Sequence, residues 1–127
     1  MALERFNNEH QYIRIEDGSD IGVVGITMHA AEQLGEIVFC DLPQIGRKLK
    51  AGEACAIVES AKTASDVFSP VSGEVIEVNP GLDASPTLAN ENPEDKGWLF
   101  KLRLSDEAEL DKLMDRPTYE AFTAQPA

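Results

Sequence analysis

The chain has 127 residues, 43% hydrophobic and 27% charged, enough for one globular domain whose core needs neither metal nor disulfide. A formal net charge of −12 speaks against nucleic acid as a partner, because such a surface repels phosphate. No run approaches the roughly 20 apolar residues of a membrane span, and "MALERFNNEHQY" carries no apolar signal region, so the expectation is a cytoplasmic protein with no membrane contact.

Gln11 to Glu16 alternates polar and apolar residues, and Asp17-Gly18 is a turn signal. Ile21 to Ile26 (IGVVGI) then completes an N-terminal hairpin over 11–26. Its "GVVG" is not a dinucleotide fingerprint; the glycines mark close strand packing. Thr27 reads as the N-cap of a short helix, Met28 to Leu34, which Gly35 terminates. Glu36 to Leu42 reads as a strand stopped by Pro43, followed by a basic loop, "GRKLKAGEA".

Strands are expected at Ala54 to Glu59 and Ala64 to Phe68, a second hairpin over about 54–68, and at Glu74 to Val78. Asn79 to Gly97 is a long polar excursion with a helical turn near Leu82 or Leu88. Trp98 to Leu104 alternates again and should return to the same sheet. A C-terminal helix over about 106–115 follows, capped by Ser105, with Leu110, Leu113 and Met114 as its stripe and Pro117 as its stop. A final helical turn is expected over Thr118 to Thr123. The sum is an α+β, mainly β, single domain over 1–127, built as a β-sandwich or flattened barrel with short peripheral helices.

Cys40 and Cys55 fall in apolar runs and read as buried reduced thiols, while His10 and His29 are too few for a metal site. There is no G-x-S-x-G elbow, no H-E-x-x-H and no P-loop, so nothing points to a self-contained active site.

One residue stands out. In "VESAKTASD", Lys62 sits between two short strands, with Glu59 and Asp66 on either side and only Ser60, Ala61, Thr63 and Ala64 beside it. From composition alone, a solvated lysine in a turn is the simplest reading. The sharper reading is a covalent attachment point. An ε-amine at a turn tip is open to an acylating enzyme, small neighbours leave that enzyme room, and acylation makes a long arm with a fixed base. Glu59 and Asp66 are then recognition charges, or only solubilising ones.

"VESAKTASDVFSPVSGEVIEVN" resembles the lipoyl-lysine segment of the glycine cleavage system H protein family. The resemblance extends through "NEHQYIRIE", "VGITMHAAEQLGEIVFCDLP", "KAGEACAIVES", "LANENPEDKGWLFKLRLSD" and "ELDKLMDRPTYE", in order, over nearly the whole chain. Biotin acceptors normally flank the lysine with methionines, and here Ala61 and Thr63 stand there. The resemblance implies a barrel-sandwich hybrid, a lipoyl-domain-like flattened β-barrel, with lipoate covalently attached as lipoyl-lysine at Lys62 and Glu59, Ser60 and Asp66 serving recognition.

It implies a non-catalytic, monomeric carrier that shuttles the aminomethyl group of glycine from a P protein (glycine decarboxylase) to a T protein (aminomethyltransferase). Electrons would pass to an L protein (dihydrolipoamide dehydrogenase), and lipoylating enzymes would be further partners. A lipoyl-relay protein, donating lipoyl groups to other enzymes, would use the same lysine. In the family a cleft holds the loaded arm, and Glu9, His10 and Gln11 occupy its place. The family usually has glutamate where this chain has Gln11, and valine where it has Ala61.

Overall fold

In the computed structural model the described residues are 3–15 and 18–124. The strands are β1 (Leu3–Phe6), β2 (Gln11–Ile15), β3 (Ile21–Ile26), β4 (Ile37–Asp41), β5 (Lys48–Leu49), β6 (Ala54–Ser60), β7 (Ala64–Phe68), β8 (Gly73–Val78) and β9 (Phe100–Leu104). The helices are α1 (Met28–Leu34), α2 (Gly81–Ala84), α3 (Leu88–Glu91) and α4 (Arg116–Thr123), with a 3-10 turn over Glu107–Lys112.

All pairings are antiparallel. One sheet runs β1-β2-β3-β9-β8-β5 and the other β4-β6-β7. The sheets do not close on one another into a barrel; they form a flattened sandwich. One core joins their inner faces, with Ile13, Val24, Val75 and Leu102 from the larger sheet and Ile37, Val58 and Val67 from the smaller. Each is almost fully buried, the outcome that period-2 alternation encodes when one face of a strand meets another sheet. The "GVVG" glycines serve close packing. A Cβ on Gly25 would stand only 2.7 Å from the Tyr12 hydroxyl oxygen and 2.8 Å from its ring edge, and that hydroxyl donates to the Pro93 carbonyl at 2.9 Å.

Helix α1 has the termini read from sequence. The Thr27 hydroxyl accepts from Ala30 N, and Gly35 N donates to the Ala31 carbonyl at a φ of 80°. Helical turns form at both Leu82 and Leu88, and β9 returns between β3 and β8.

The C-terminal region corrects the expected helix over 106–115. The chain makes only the 3-10 turn there, capped by the Asp106 side chain rather than by Ser105. Leu110 is its buried anchor. Met114 is instead drawn out as a bridge to β1, exchanging two backbone hydrogen bonds of 2.8 Å with Phe6. Pro117 does not stop a helix but begins one. Asp115 caps α4 through Thr118 N, and proline suits a first turn whose N–H has no helical partner. Two short strands were also not expected: β1, at the edge, and β5, inside the segment read as a basic loop. The turn at Asp17 and the end of the Gln11–Glu16 strand lie outside the described residues.

Candidate functional site

Ala61, Lys62 and Thr63 connect β6 to β7, and all three are exposed. The turn is closed by Ser60, whose N–H donates to the Thr63 carbonyl at 2.7 Å. The Ser60 hydroxyl accepts from Lys62 N at 3.2 Å and Thr63 N at 3.1 Å, and donates to the Thr63 carbonyl at 3.1 Å. Ser60 therefore faces inward and its hydroxyl is committed to shaping the turn, whereas Glu59 and Asp66 are exposed.

The turn is also tied sideways. Ala61 N donates to the Glu36 carbonyl at 3.1 Å. The flanking residues are clamped by one side chain: Asn90 Nδ2 donates to the Gly35 carbonyl and Asn90 Oδ1 accepts from Ile37 N, both at 2.7 Å. Lys62 forms no salt bridge among the described residues. Its stem crosses Gly35, where an added Cβ would lie 3.0 Å from Lys62 Cε. The base of the lysine is thus fixed by backbone bonds while its amine is open.

A cavity of about 210 Å³ opens beside the C-terminal end of α1. Ile26, Ala30, Leu34, Val58 and Val67 give it apolar walls, and Glu9, His10, Gln11, Gln33 and Ser65 a polar rim. Glu9, His10 and Gln11 are brought together by an Asn7-centred turn, in which the Asn7 side-chain oxygen accepts from Glu9 N at 3.1 Å and Gln11 N at 2.8 Å. Gln11 is only 3% exposed. Its Oε1 accepts from Asn7 Nδ2 and its Nε2 donates to the Glu9 carbonyl, each at 2.9 Å.

His10 adopts a φ of 69°, a left-handed conformation in which Asn, Asp and His are enriched. Its Nδ1 is 2.8 Å from the Tyr119 hydroxyl, which is 2.7 Å from the Thr27 hydroxyl, so α4, the β1–β2 turn and the cap of α1 share one chain of hydrogen bonds. The His29 ring packs at 4.6 Å from that of His10. Burial, with repulsion from His29, lowers the His10 pKa below that of an ordinary histidine. Arg116 secures α4 through two 3.1 Å bonds to Glu4 and one of 2.7 Å to Glu94. That guanidinium is the main reason the Glu4 carboxyl titrates below its usual range.

Cys40 and Cys55 are free and buried. Burial pushes the Cys40 thiol up to about 11 and the Cys55 thiol up to about 12. No cluster that could hold a metal occurs among the described residues, and no helix of the described chain is long and apolar enough to cross a membrane. Sequence reasoning missed Gly35 as the seat of the lysine stem and Asn90 as the clamp. Gly35 carried a signal as a helix terminator; Asn90, in the polar excursion, carried none.

Comparisons with known proteins point to one family. The family model described as glycine cleavage H-protein matches residues 4–126. A glycine cleavage system H protein of Thermotoga maritima is 48% identical, covering 98% of this chain and 99% of its own. One of Escherichia coli O7:K1 is 50% identical, covering 93% and 91%. The crystal structure of a glycine cleavage system H protein from Mycobacterium marinum superposes with a TM-score of 0.86 at 33% identity, over 96% of this chain and 97% of that one. With a matching family model over almost its whole length and relatives near half identity, this chain belongs to the glycine cleavage H-protein family.

Proposed function

We propose that this protein is the lipoylated carrier of the glycine cleavage system and that Lys62 bears the lipoyl group. The observation that carries the assignment is the state of Lys62: exposed, without an ion pair among the described residues, and at the apex of a backbone-braced turn. By contrast, Lys101 lies on β9 in a 3.6 Å ion pair with Glu77 and over the Trp98 ring. The site also suits the group. Ala61 and Thr63 offer an acylating enzyme no obstruction, and the cavity beside α1 has apolar walls for an aliphatic arm and a polar rim for its cargo.

When attached, lipoate supplies thiol–disulfide exchange. The protein supplies position: Ser60, Glu36 and Asn90 hold the base of the arm. Its own thiols do not compete, because burial keeps Cys40 and Cys55 protonated and out of reach. In this reading the chain carries the group between enzymes and catalyses no step itself. The chain would meet a P protein, a T protein and an L protein in turn, working in the cytoplasm as a monomer. Glu59 and Asp66 are recognition charges in this reading, and Ser60 shapes the turn.

The test is the intact mass and peptide map of protein from cells that make lipoate. The expected result is one lipoyl group on Lys62, a form one charge more negative on a native gel, and no such mass in Lys62→Arg. A lipoyl mass in that variant would sink the assignment.

A further inference from the structure

The outer face of the smaller sheet follows from its register. Directly paired residues of antiparallel strands point to the same side. Phe39, Glu59 and Ala64 form one such row, and Asp41, Ile57 and Asp66 another. The row between, Cys40, Val58 and Ser65, faces inward, with Cys40 and Val58 buried.

β4 departs from regular alternation. Its pairing shifts between Ile37 and Phe39, so Val38 and Phe39 are both turned outward, 50% and 51% exposed. Such a bulge re-aims side chains at a sheet edge, and β4 is an edge. Two large apolar residues are thus presented side by side where alternation would hide one. Ile37 pairs with Ser60, and Glu36 holds Ala61 N, so this edge is continuous with the lysine turn. Exposed carboxylates of Glu36, Asp41, Glu59 and Asp66 surround it, and no lysine or arginine lies on β4, β6 or β7.

We infer that Val38 and Phe39 are the docking seat for the enzyme that acylates Lys62, which would carry an apolar socket rimmed by basic residues. The inference rests on the reading of Lys62 as the modified residue. An enzyme that acylates an amine at a turn tip must cover the adjoining strands, and the β4 edge is the apolar part of what it covers. Buried aromatic and aliphatic anchors provide affinity in such contacts, while surrounding charges set orientation and on-rate.

The experiment uses the apo chain with an ATP-dependent lipoate–protein ligase, with acylation followed by mass at varied chain concentration. Variants are Val38→Thr, which keeps a β-branched residue, and Phe39→Thr, which replaces the ring with a β-branched polar residue that still suits a strand. The expected result is a KM raised about tenfold by Phe39→Thr and less by Val38→Thr. The kcat should stay within about twofold, the thermal midpoint should not move, and direct titration against the ligase should weaken in parallel. Wild-type KM should also rise with salt, as expected for screened steering.

Variants acylated with wild-type KM would overturn the seat alone, provided wild-type protein is modified at Lys62. Modification elsewhere would overturn the reading of Lys62 and the seat with it. Normal acylation with impaired turnover by the glycine decarboxylase would give the face to that enzyme instead. A concentration-dependent dimer abolished by Phe39→Thr would give it to a second copy of the chain.

Discussion

Lys62 lies across Gly35. A methyl group on residue 35 would sit 3.0 Å from Lys62 Cε and 3.6 Å from its ammonium nitrogen. Gly35 ends α1 with φ 80° and ψ −158°, a region that only glycine occupies readily. The residue that stops a helix therefore also leaves room for the stem of a lysine 27 positions along the chain.

Gly35→Ala meets both demands at once. The backbone strain alone should cost about 1–3 kcal/mol, read from urea unfolding. The stem of Lys62 must also shift, so acylation of Lys62 should slow. A variant with wild-type stability and acylation rate would refute the steric link.

The two cysteines should be nearly silent in the native protein. With thiol pKa values pushed up to about 11 and 12 by burial, the thiolate fraction at pH 8 falls by about a hundredfold or more from that of an ordinary thiol. Labelling by a thiol reagent should be slow in buffer and fast in urea, at both Cys40 and Cys55. Rapid native labelling would mean that the core opens readily.

Acid should act in two stages. Native His10 takes a proton less readily than an unfolded histidine, so below about pH 6.5 the unfolded chain binds more protons. The contribution of His10 is therefore complete above that pH and is lost as pH falls through the lowered native value. Glu4, whose carboxyl Arg116 holds below the usual carboxylate range, adds a second loss at more acid pH, below the ordinary glutamate value of about 4.3. Urea midpoints measured from pH 7.5 to 5 should decline in the wild type and decline less in His10→Asn, whose asparagine tolerates the left-handed backbone. Equal slopes would exclude His10 as the cause.

Gln11→Glu tests the cavity rim. A carboxylate there can pair with an ammonium group, a bond of about 1.5–3 kcal/mol against about 0.5–1.5 for neutral partners. The amide's bond to an ammonium is already charge-assisted, so the gain is nearer 1 kcal/mol, or roughly fivefold. The structure adds a cost, because glutamate has no donor for the Glu9 carbonyl that Gln11 now satisfies and places a carboxylate at a position only 3% exposed; a drop of at least about 1–3 kcal/mol in stability is expected. After loading with glycine and P protein and removal of the enzyme, formaldehyde and ammonia should appear severalfold more slowly from Gln11→Glu. Equal rates would make the Asn7–Gln11–Glu9 network purely structural.

Several of these features are local and were legible in the chain. Alternation marks β2 and β9 because neighbouring side chains on a strand see opposite environments, while β6, β7 and β8 show as short apolar stretches bounded by turn residues. Thr27 and Gly35 bound α1 because their hydrogen bonds lie within the helix. The small residues around Lys62 mark its turn for the same reason.

What sequence left open depends on partners far along the chain. β1 exists through pairing with β2 and with Met114, and that second pairing draws out the segment that by itself reads as helix. Pro117 reads equally as a stop or a start until Asp115 caps α4. Asn90 looks like any polar loop residue until the fold brings Gly35 and Ile37 to its amide. The outward turn of Val38 and Phe39 comes from a register shift against β6, and register belongs to two strands at once. Sequence by itself determined most of the elements and the exposed lysine, because these follow from contacts a few residues long. Tertiary structure alone decided what braces that lysine and what surrounds it, because those contacts join segments tens of residues apart.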